Sequence, residues 1–282
     1  MDEEDDKVDF VKLVKPLHVT MQSDSQELAV VAASALVNLC NYSEDIKEIF
    51  FQHKGLNVIL EYLDLAVDKH QDTLEMVLRL MQILMAKSEQ HTKKICEEND
   101  QEAVKSLLKI LEGPGLKNTS FSTLIIRFVI NILRMMIKHS FKAKSTIFKN
   151  KTEKEPTKSS LSIIVDMVEP SLHKLALREH KTLEVCVYQF LGEFVMEENE
   201  YKRFVGGLMF LRIFHKRIKG ILTEREEEDD LHDHSVPVLS GEVEEQFFKL
   251  ISILTKNNPE NAQHIKSMKP DLVKYQTDGK CE

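Results

Sequence analysis

The chain has 282 residues and a formal net charge of −8, with 42% hydrophobic and 30% charged residues. This apolar content excludes global disorder, and the acidic balance disfavours nucleic acid as a partner, because binding to phosphates needs a basic face. With 9 Gly, 7 Pro, 5 Tyr and no Trp, the composition favours helices over strand-rich folds. No apolar run approaches the roughly 20 residues of a membrane-spanning helix, so membrane insertion is not expected.

The N-terminus is strongly acidic, and residues 1–7 are predicted to be disordered. Its charge is the opposite of that of a secretory signal peptide. The four cysteines form no Cys-x-x-Cys pair, and Cys40, Cys96 and Cys186 lie within helix-like apolar segments. Reduced core thiols of this kind are typical of a cytoplasmic or nuclear protein. The sequence carries no signal for an oligomeric state.

The first clear structural unit has three parts. Small and apolar residues from Ala29 to Cys40 recur at helical spacing and predict a long helix over residues 25–42. A polar break leads to a short helix that carries Ile46, Ile49 and Phe50. Gly55 then precedes a further apolar helix that ends near Leu63.

The same three-part pattern recurs along the chain. Further long helices are predicted over residues 71–87, 120–139, 181–197 and 242–256. The anchors Leu39, Leu84, Met136, Phe194 and Leu254 are separated by 45, 52, 58 and 60 residues. The first interval fits a helical repeat of about 40–47 residues, and extra loops account for the longer ones. The residues predicted to be buried between successive units are Leu36, Leu39, Leu84, Leu133, Leu191, Phe194, Ile251 and Leu254.

Two polar segments interrupt the pattern. Residues 149–160 contain no apolar periodicity, and residues 223–241 are rich in Asp and Glu. Neither segment has enough apolar surface to offset the entropy of ordering. Both are therefore predicted to be exposed, mobile loops.

Residues 32–63 resemble an armadillo repeat. The resemblance rests on the phrase Ala35-Leu36-Val37-Asn38-Leu39, followed by a polar turn, a short helix, Gly55 and an apolar helix. It implies an all-α fold, a right-handed α-α superhelix formed by a single domain over residues 1–282. That solenoid would have about six layers, with partial repeats at both ends.

The resemblance also implies a function. Armadillo-type proteins are non-enzymatic scaffolds or adaptors that bind a protein or peptide partner along a concave groove lined by the long helices. In this chain the groove positions would be Ser34, Asn38, Leu78, Gln82, Asn131, Met135, Gln189, Glu193, Lys249 and Ile253. The alternative is a regulator of another enzyme, similar to armadillo-type GTPase exchange factors or Hsp70 cofactors. A purely structural alternative is that these residues only complete the packing of neighbouring layers.

The sequence departs from the importin-type groove, which carries a ladder of Trp and Asn on successive long helices. At the corresponding positions only Asn38 matches, and no Trp is present. The resemblance therefore does not extend to binding of nuclear-localisation peptides.

No enzyme motif, cofactor site or metal site is predicted. P-loop, GxGxxG, GxSxG and HExxH patterns are absent. Cys40 and Cys186 fall on apolar helix faces and are interpreted as core residues rather than nucleophiles. His232 and His234 could bind zinc, but two ligands do not complete a tetrahedral set, so a solvated loop is favoured. The basic stretch from Arg212 to Lys219 is interpreted as a solvated face or a partner for the acidic segment.

Overall fold

Helices account for the regular structure of this chain wherever its residues are described. A computed structural model describes residues 11–69, 71–86, 88–97, 101–112, 120–152, 158–168, 177–209, 213–214 and 241–267. Within these ranges there is no β-strand, and the one extended pairing is an isolated antiparallel bridge between Lys151 and Ser159. The predicted all-α class is confirmed. None of the helices in these ranges is long and apolar enough to span a membrane.

The described helices range in length from 7 residues to 20 residues. The first seven are α1 Val11–Met21, α2 Gln26–Tyr42, α3 Glu44–Gln52, α4 Gly55–Lys69, α5 Gln71–Met85, α6 Glu89–Glu97 and α7 Glu102–Glu112. The next seven are α8 Ser120–His139, α9 Phe141–Lys149, α10 Ser160–Asp166, α11 Leu177–Val195, α12 Asn199–Met209, α13 Gly241–Thr255 and α14 Pro259–Ser267. The five long helices predicted from the sequence are confirmed as α2, α5, α8, α11 and α13.

Short helices follow the long helices after one to three residues, and the cap at this junction recurs. Ser88 Oγ accepts a hydrogen bond from the His91 backbone N–H at 3.2 Å, and Ser140 Oγ accepts one from Ala143 at 3.2 Å. At the last junction Asn258 Oδ1 accepts from the Asn261 N–H at 3.0 Å. Ser and Asn are preferred caps because their oxygen atoms satisfy N–H groups that have no partner inside the helix.

A buried lysine joins a short helix to the next long helix in two of the repeats. Lys47, the fourth residue of α3, donates to the carbonyl oxygen of Ala86 at 3.4 Å, just beyond the end of α5. Lys202, the fourth residue of α12, donates to the carbonyl oxygen of Lys256 at 2.9 Å, just beyond α13. Each ammonium group meets the end of a helix where carbonyl groups lack internal partners. The sequence repeat therefore corresponds to a repeated contact.

Backbone geometry is also shared between junctions. Lys54 and Gln101 have positive φ angles of 58° and 65° immediately before α4 and α7. Glu197 and Asn257 have φ angles of 72° and 57° between a long helix and the short helix that follows it. Single left-handed residues allow a helical chain to reverse its direction abruptly.

The core is formed by the apolar stripes of the long helices, and all but one of the predicted core residues belong to it. The predicted core residues Leu36, Leu84, Leu133, Leu191, Phe194, Ile251 and Leu254 are buried. Leu39 is only half-buried, so its prediction is wrong. Cys40, four residues after Leu36, continues the buried face of α2 and leaves Leu39 at its edge.

The chain divides into two compact units, where the sequence predicts a single domain. Unit 1 comprises residues 1–117 and 124–147, and unit 2 comprises residues 118–123 and 148–282. In unit 1, α2 packs along α5 and α4 packs along α5 and α7. In unit 2, α11 packs along α13, and α12 contacts both helices and α14.

The segment 149–160 is ordered at both ends rather than exposed throughout. Thr152 and Ser160 are buried, and Asn150 Nδ2 donates to Ser160 Oγ at 2.7 Å. The backbone N–H of Thr152 donates to the Lys158 carbonyl at 3.0 Å. The prediction of an exposed loop is therefore wrong at Thr152 and Ser160, because their polar groups are satisfied within the protein. Residues 1–7, 153–157 and 223–240 lie outside the described residues.

Candidate functional site

The outward face of α2 carries the first pair of predicted groove residues. Asn38 is exposed and Ser34 is half-buried. Val31 and Tyr42, at spacings of seven and four residues from Asn38, lie on the same side of the helix. Their side chains are 65% and 79% exposed, and the neighbouring Leu28 is 52% exposed. This face therefore combines a solvent-accessible amide with large apolar groups.

Val31 and Tyr42 are not predicted from the sequence, because the apolar periodicity of α2 marks only the stripe that faces the core. The buried stripe of α2 is formed by Ala29, Ala32, Ala33, Leu36 and Cys40. Val31 and Tyr42 are apolar residues that fall outside this stripe. An apolar residue out of phase with the core pattern is the signal that could have identified them.

On α5, one predicted groove residue is misplaced. Leu78 is fully buried, so its assignment to an outward face is wrong. It belongs to the core stripe, because Leu74 lies four residues before it and Met81 three residues after it, and both are buried. Gln82 is half-buried and shares the outward side of α5 with Arg79.

Arg79 connects the outward faces of α5 and α8. Its guanidinium carbon lies 5.5 Å from the centre of the Phe128 ring, and its Nη2 atom lies 2.7 Å from Glu75 Oε1. A cation over an aromatic face is attracted by the quadrupole of the ring. The contact with Phe128 crosses from α5 to α8, and the ion pair with Glu75 lies within α5.

On α8, the predicted groove residues Asn131 and Met135 are both half-buried. Arg127, Arg134 and Lys138 lie on the same side of the helix, since their spacings from Asn131 are four, three and seven residues. On their own helix, Asn131 and Met135 thus lie among basic side chains. Residues 113–152 contain no Asp or Glu.

In unit 2 the predicted pairs differ in accessibility. Gln189 and Glu193 on α11 are half-buried, and Lys249 on α13 is exposed. Ile253 is half-buried and packs onto Gly192 of α11, where a Cβ atom would lie 3.4 Å from Ile253 Cδ1. Ile253 thus contributes to the packing between α11 and α13, as the structural alternative expects.

Burial suppresses the reactivity of Cys40 and Cys96. Cys40 and Cys96 are fully buried, and the desolvation that accompanies burial raises the pKa of each thiol to about 12. Cys186 is also buried. At neutral pH Cys40 and Cys96 are therefore protonated, whereas a nucleophilic cysteine acts as the thiolate.

A metal centre is not formed by the part of the chain that is described. No group of three or more His, Cys, Asp or Glu side chains in these ranges is placed to hold an ion. His232 and His234 lie outside the described residues.

Comparisons with known proteins do not assign a family. No family model matches the chain, and no curated protein matches it. Among solved structures, the crystal structure of an engineered protein is similar to the chain with 11% sequence identity and a TM-score of 0.45. The match covers 87% of this chain and 97% of the engineered chain. A likeness this distant informs neither the detailed fold nor the function.

Proposed function

We propose that the chain is a non-enzymatic scaffold that binds a protein or peptide partner through the outward faces of its long helices. In this proposal the helices stack as a right-handed armadillo-type superhelix. The three-part repeat and the recurring lysine contacts of α3 and α12 support a stacked array. The protonated state of the buried thiols supports a role other than cysteine catalysis.

The observation that carries the proposal is the exposure of Val31 and Tyr42 on α2. Removing apolar surface from water contributes about 25 cal/mol per Å², so a partner that covers these side chains gains affinity. Large exposed apolar groups gathered on one side of an element are a feature of interaction sites. Core-facing packing does not explain them, because both side chains point away from the buried stripe of α2.

Recognition of the partner would combine apolar contacts with Val31 and Tyr42 and hydrogen bonds with Asn38. Val31 and Tyr42 are eleven residues apart, which corresponds to about 16 Å along a helix. Asn38 lies between them, and its amide can donate to a carbonyl group and accept from an N–H group of a bound segment. Two apolar anchors with a polar group between them favour a partner whose apolar residues are separated by a segment with accessible backbone groups.

The proposal is tested with the double variant Val31→Ser, Tyr42→Ser. Proteins captured by the immobilised wild-type chain are cross-linked, identified and quantified by mass spectrometry, and the melting temperature of each variant is recorded. We expect a specific subset of captured proteins to be lost at an unchanged melting temperature, because both side chains are exposed.

The matched control is Phe141→Ser on α9. Phe141 is 67% exposed, which is similar to Val31 and Tyr42, but it lies on a different helix. It should leave the same subset in place. Equal capture by the wild type and the α2 variant would contradict the proposal. The identity of the lost proteins separates the two functional classes: a GTPase or a chaperone as the main loss would favour the regulator of another enzyme.

A further inference from the structure

The outward side of α2 carries a line of residues with the spacing of a helix–helix contact, which we call the α2 stripe. Its members Leu28, Val31, Ala35, Asn38 and Tyr42 are separated by three, four, three and four residues. This alternation keeps them on one side of a helix and is the spacing by which two helices pair along their length. Ala35 is half-buried and the other four are exposed. From Leu28 to Tyr42 the stripe extends about 21 Å along the helix axis.

Packing within unit 1 does not use the α2 stripe. The helix packs against α1, α3 and α5. Its buried residues form a separate line made of Ala29, Ala32, Ala33, Leu36 and Cys40. Single exposed apolar side chains are common on protein surfaces, but here three large ones lie in one stripe and form an apolar contact surface.

The absence of charge distinguishes α2 from the other long helices. Residues 28–43 contain no Asp, Glu, Lys or Arg. The other long helices carry charged residues well inside their length, such as Arg79 of α5, Arg134 of α8, Glu184 of α11 and Lys249 of α13. A net charge of −8 makes two copies of the chain repel each other in general. The α2 stripe is a surface on which they approach without like charges of their own facing each other.

We propose that the α2 stripe is also the contact surface between two copies of the chain, which associate reversibly about a two-fold axis. This inference goes beyond the proposed function, because a second copy and a partner protein compete for the same side of α2. The two helices run antiparallel, so that the positive end of each helix dipole lies beside the negative end of the other.

The order of residues in the stripe is self-complementary in this arrangement. An axis between residues 36 and 37 places Val31 opposite Tyr42 of the second copy, and Ala35 opposite Asn38 of the second copy. The two-fold axis makes each of these pairs occur twice. Ala35 leaves room for the Asn38 amide, and the Val31 methyl groups meet the Tyr42 ring. A parallel pairing places Ala35 opposite Ala35, which leaves a gap, and brings like ends of the helix dipoles together.

The size of the contact sets its strength. Each copy contributes the side of one helix, so the interface falls below the roughly 1,200 Å² of buried surface at which stable protein–protein interfaces begin. Contacts of this size are transient, and we expect a Kd on the order of 10–100 μM. A partner protein with a larger interface can therefore displace the second copy.

The test changes the charge at Asn38, which is exposed and can be substituted without disturbing the core. Asn38→Glu and Asn38→Lys are prepared in the full chain and studied alone and as an equimolar mixture. In the antiparallel arrangement the two copies of residue 38 are offset by only three residues, about 4.5 Å along the axis. Sedimentation velocity from about 5 to 500 μM measures association around the expected Kd, and circular dichroism checks the fold of each variant.

We expect the wild type to pass from monomer to dimer over this range. Each Asn38 variant alone should associate at least about tenfold more weakly, because two like charges meet, and the mixture should regain at least the wild-type affinity. Val31→Ser, Tyr42→Ser should also weaken association, because it removes apolar contacts. The control Phe141→Ser, which changes an exposed residue of α9, should associate as the wild type does.

The orientation of the helices is tested by cross-linking single cysteines with oxidised glutathione. All proteins carry Cys281→Ser, and the other three natural cysteines are buried. A mixture of Ala35→Cys and Asn38→Cys should form a disulfide-linked dimer faster than either variant does alone, since residues 35 and 38 lie opposite each other.

Three outcomes overturn the inference: a wild type that stays monomeric up to about 500 μM, association that does not respond to the charge at residue 38, or faster cross-linking of one cysteine variant with itself. The proposed function fails separately. A monomeric wild type whose captured partners are lost in the Val31→Ser, Tyr42→Ser variant would keep that function and reject the dimer. A dimer that responds to residue 38, together with unchanged capture, would do the reverse.

Discussion

At the scale of single residues, two adjacent glycines of α12 have different surroundings. A Cβ atom on Gly206 would overlap the amide of Asn261, whereas one on Gly207 would meet nothing within 4 Å. Asn261 Nδ2 donates to the carbonyls of Lys202 at 2.8 Å and Leu254 at 3.0 Å, so its side chain is held in place. Gly206 therefore allows α12 to approach α14 closely.

This difference predicts opposite effects of alanine. Gly206→Ala should lower the free energy of unfolding by about 1–3 kcal/mol, because the clash displaces a buried, hydrogen-bonded amide. Gly207→Ala should raise it by about 0.5–1 kcal/mol, because alanine is the better helix former. Urea unfolding of both variants measures these changes. Destabilisation of the same size in both would show that backbone geometry, and not the Asn261 contact, sets the cost.

His18 makes stability depend on pH. The ring meets Phe50 edge-on with centroids 6.0 Å apart, and partial burial lowers the pKa of His18 from its ordinary value of 6.5. Below pH 6.5 the unfolded chain therefore binds a proton that the folded chain resists. The free energy of unfolding should fall as the pH drops through this value, and the His18 contribution is complete above it.

The measurement is urea unfolding of the wild type and of His18→Gln across a pH series from about 7.5 to 5.5, a range that stays above the ordinary titration of carboxylates. The variant lacks the titrating ring, so its unfolding free energy should change less over this interval. Equal pH dependence in both proteins would assign the effect to other groups.

At the scale of elements, equivalent positions on α2 and α5 differ in burial. Leu39 and Leu84 are the corresponding anchors of two repeats, yet Leu84 is fully buried and Leu39 is only half-buried. Leu84→Ala should cost about 2–5 kcal/mol of unfolding free energy, since it removes apolar contacts and leaves a cavity. Leu39→Ala should cost about 1 kcal/mol. Equal denaturant midpoints for the two variants would contradict the assigned faces.

The same helices show what the sequence could predict. The long helices were identified because apolar residues recur at 3.6-residue spacing over several turns, and one error in such a pattern does not change the element. The face that each residue occupies is more sensitive, as Leu78 illustrates: a register difference of a single residue rotates the chosen pair by 100° around the helix. The outward position on α5 belongs to Arg79 and not to its neighbour Leu78.

At the scale of the whole molecule, the packing of one helix against another was harder to predict than the helices themselves. Repeat periodicity predicts one continuous array, and the contacts group the chain into two compact units that meet near residues 117–124 and 147 in the sequence. Apolar spacing within a helix reports which face is buried, but it carries no information about which other helix covers that face. The uneven distribution of charge, with no acidic residue from 113 to 152, is visible in the sequence. Which of the basic residues on α8 lie on its accessible side emerges only once the buried side of that helix is known.

The two buried lysines at the junctions also allow local opening of the folded chain to be measured by chemical modification. Lys47 and Lys202 are almost fully enclosed, and each ammonium group is held against a backbone carbonyl. An amine-reactive reagent can modify them only after the short helix has separated from the end of the next long helix. The labelling rate of each amine, followed by peptide mapping, therefore reports how often its own junction opens, one for unit 1 and one for unit 2.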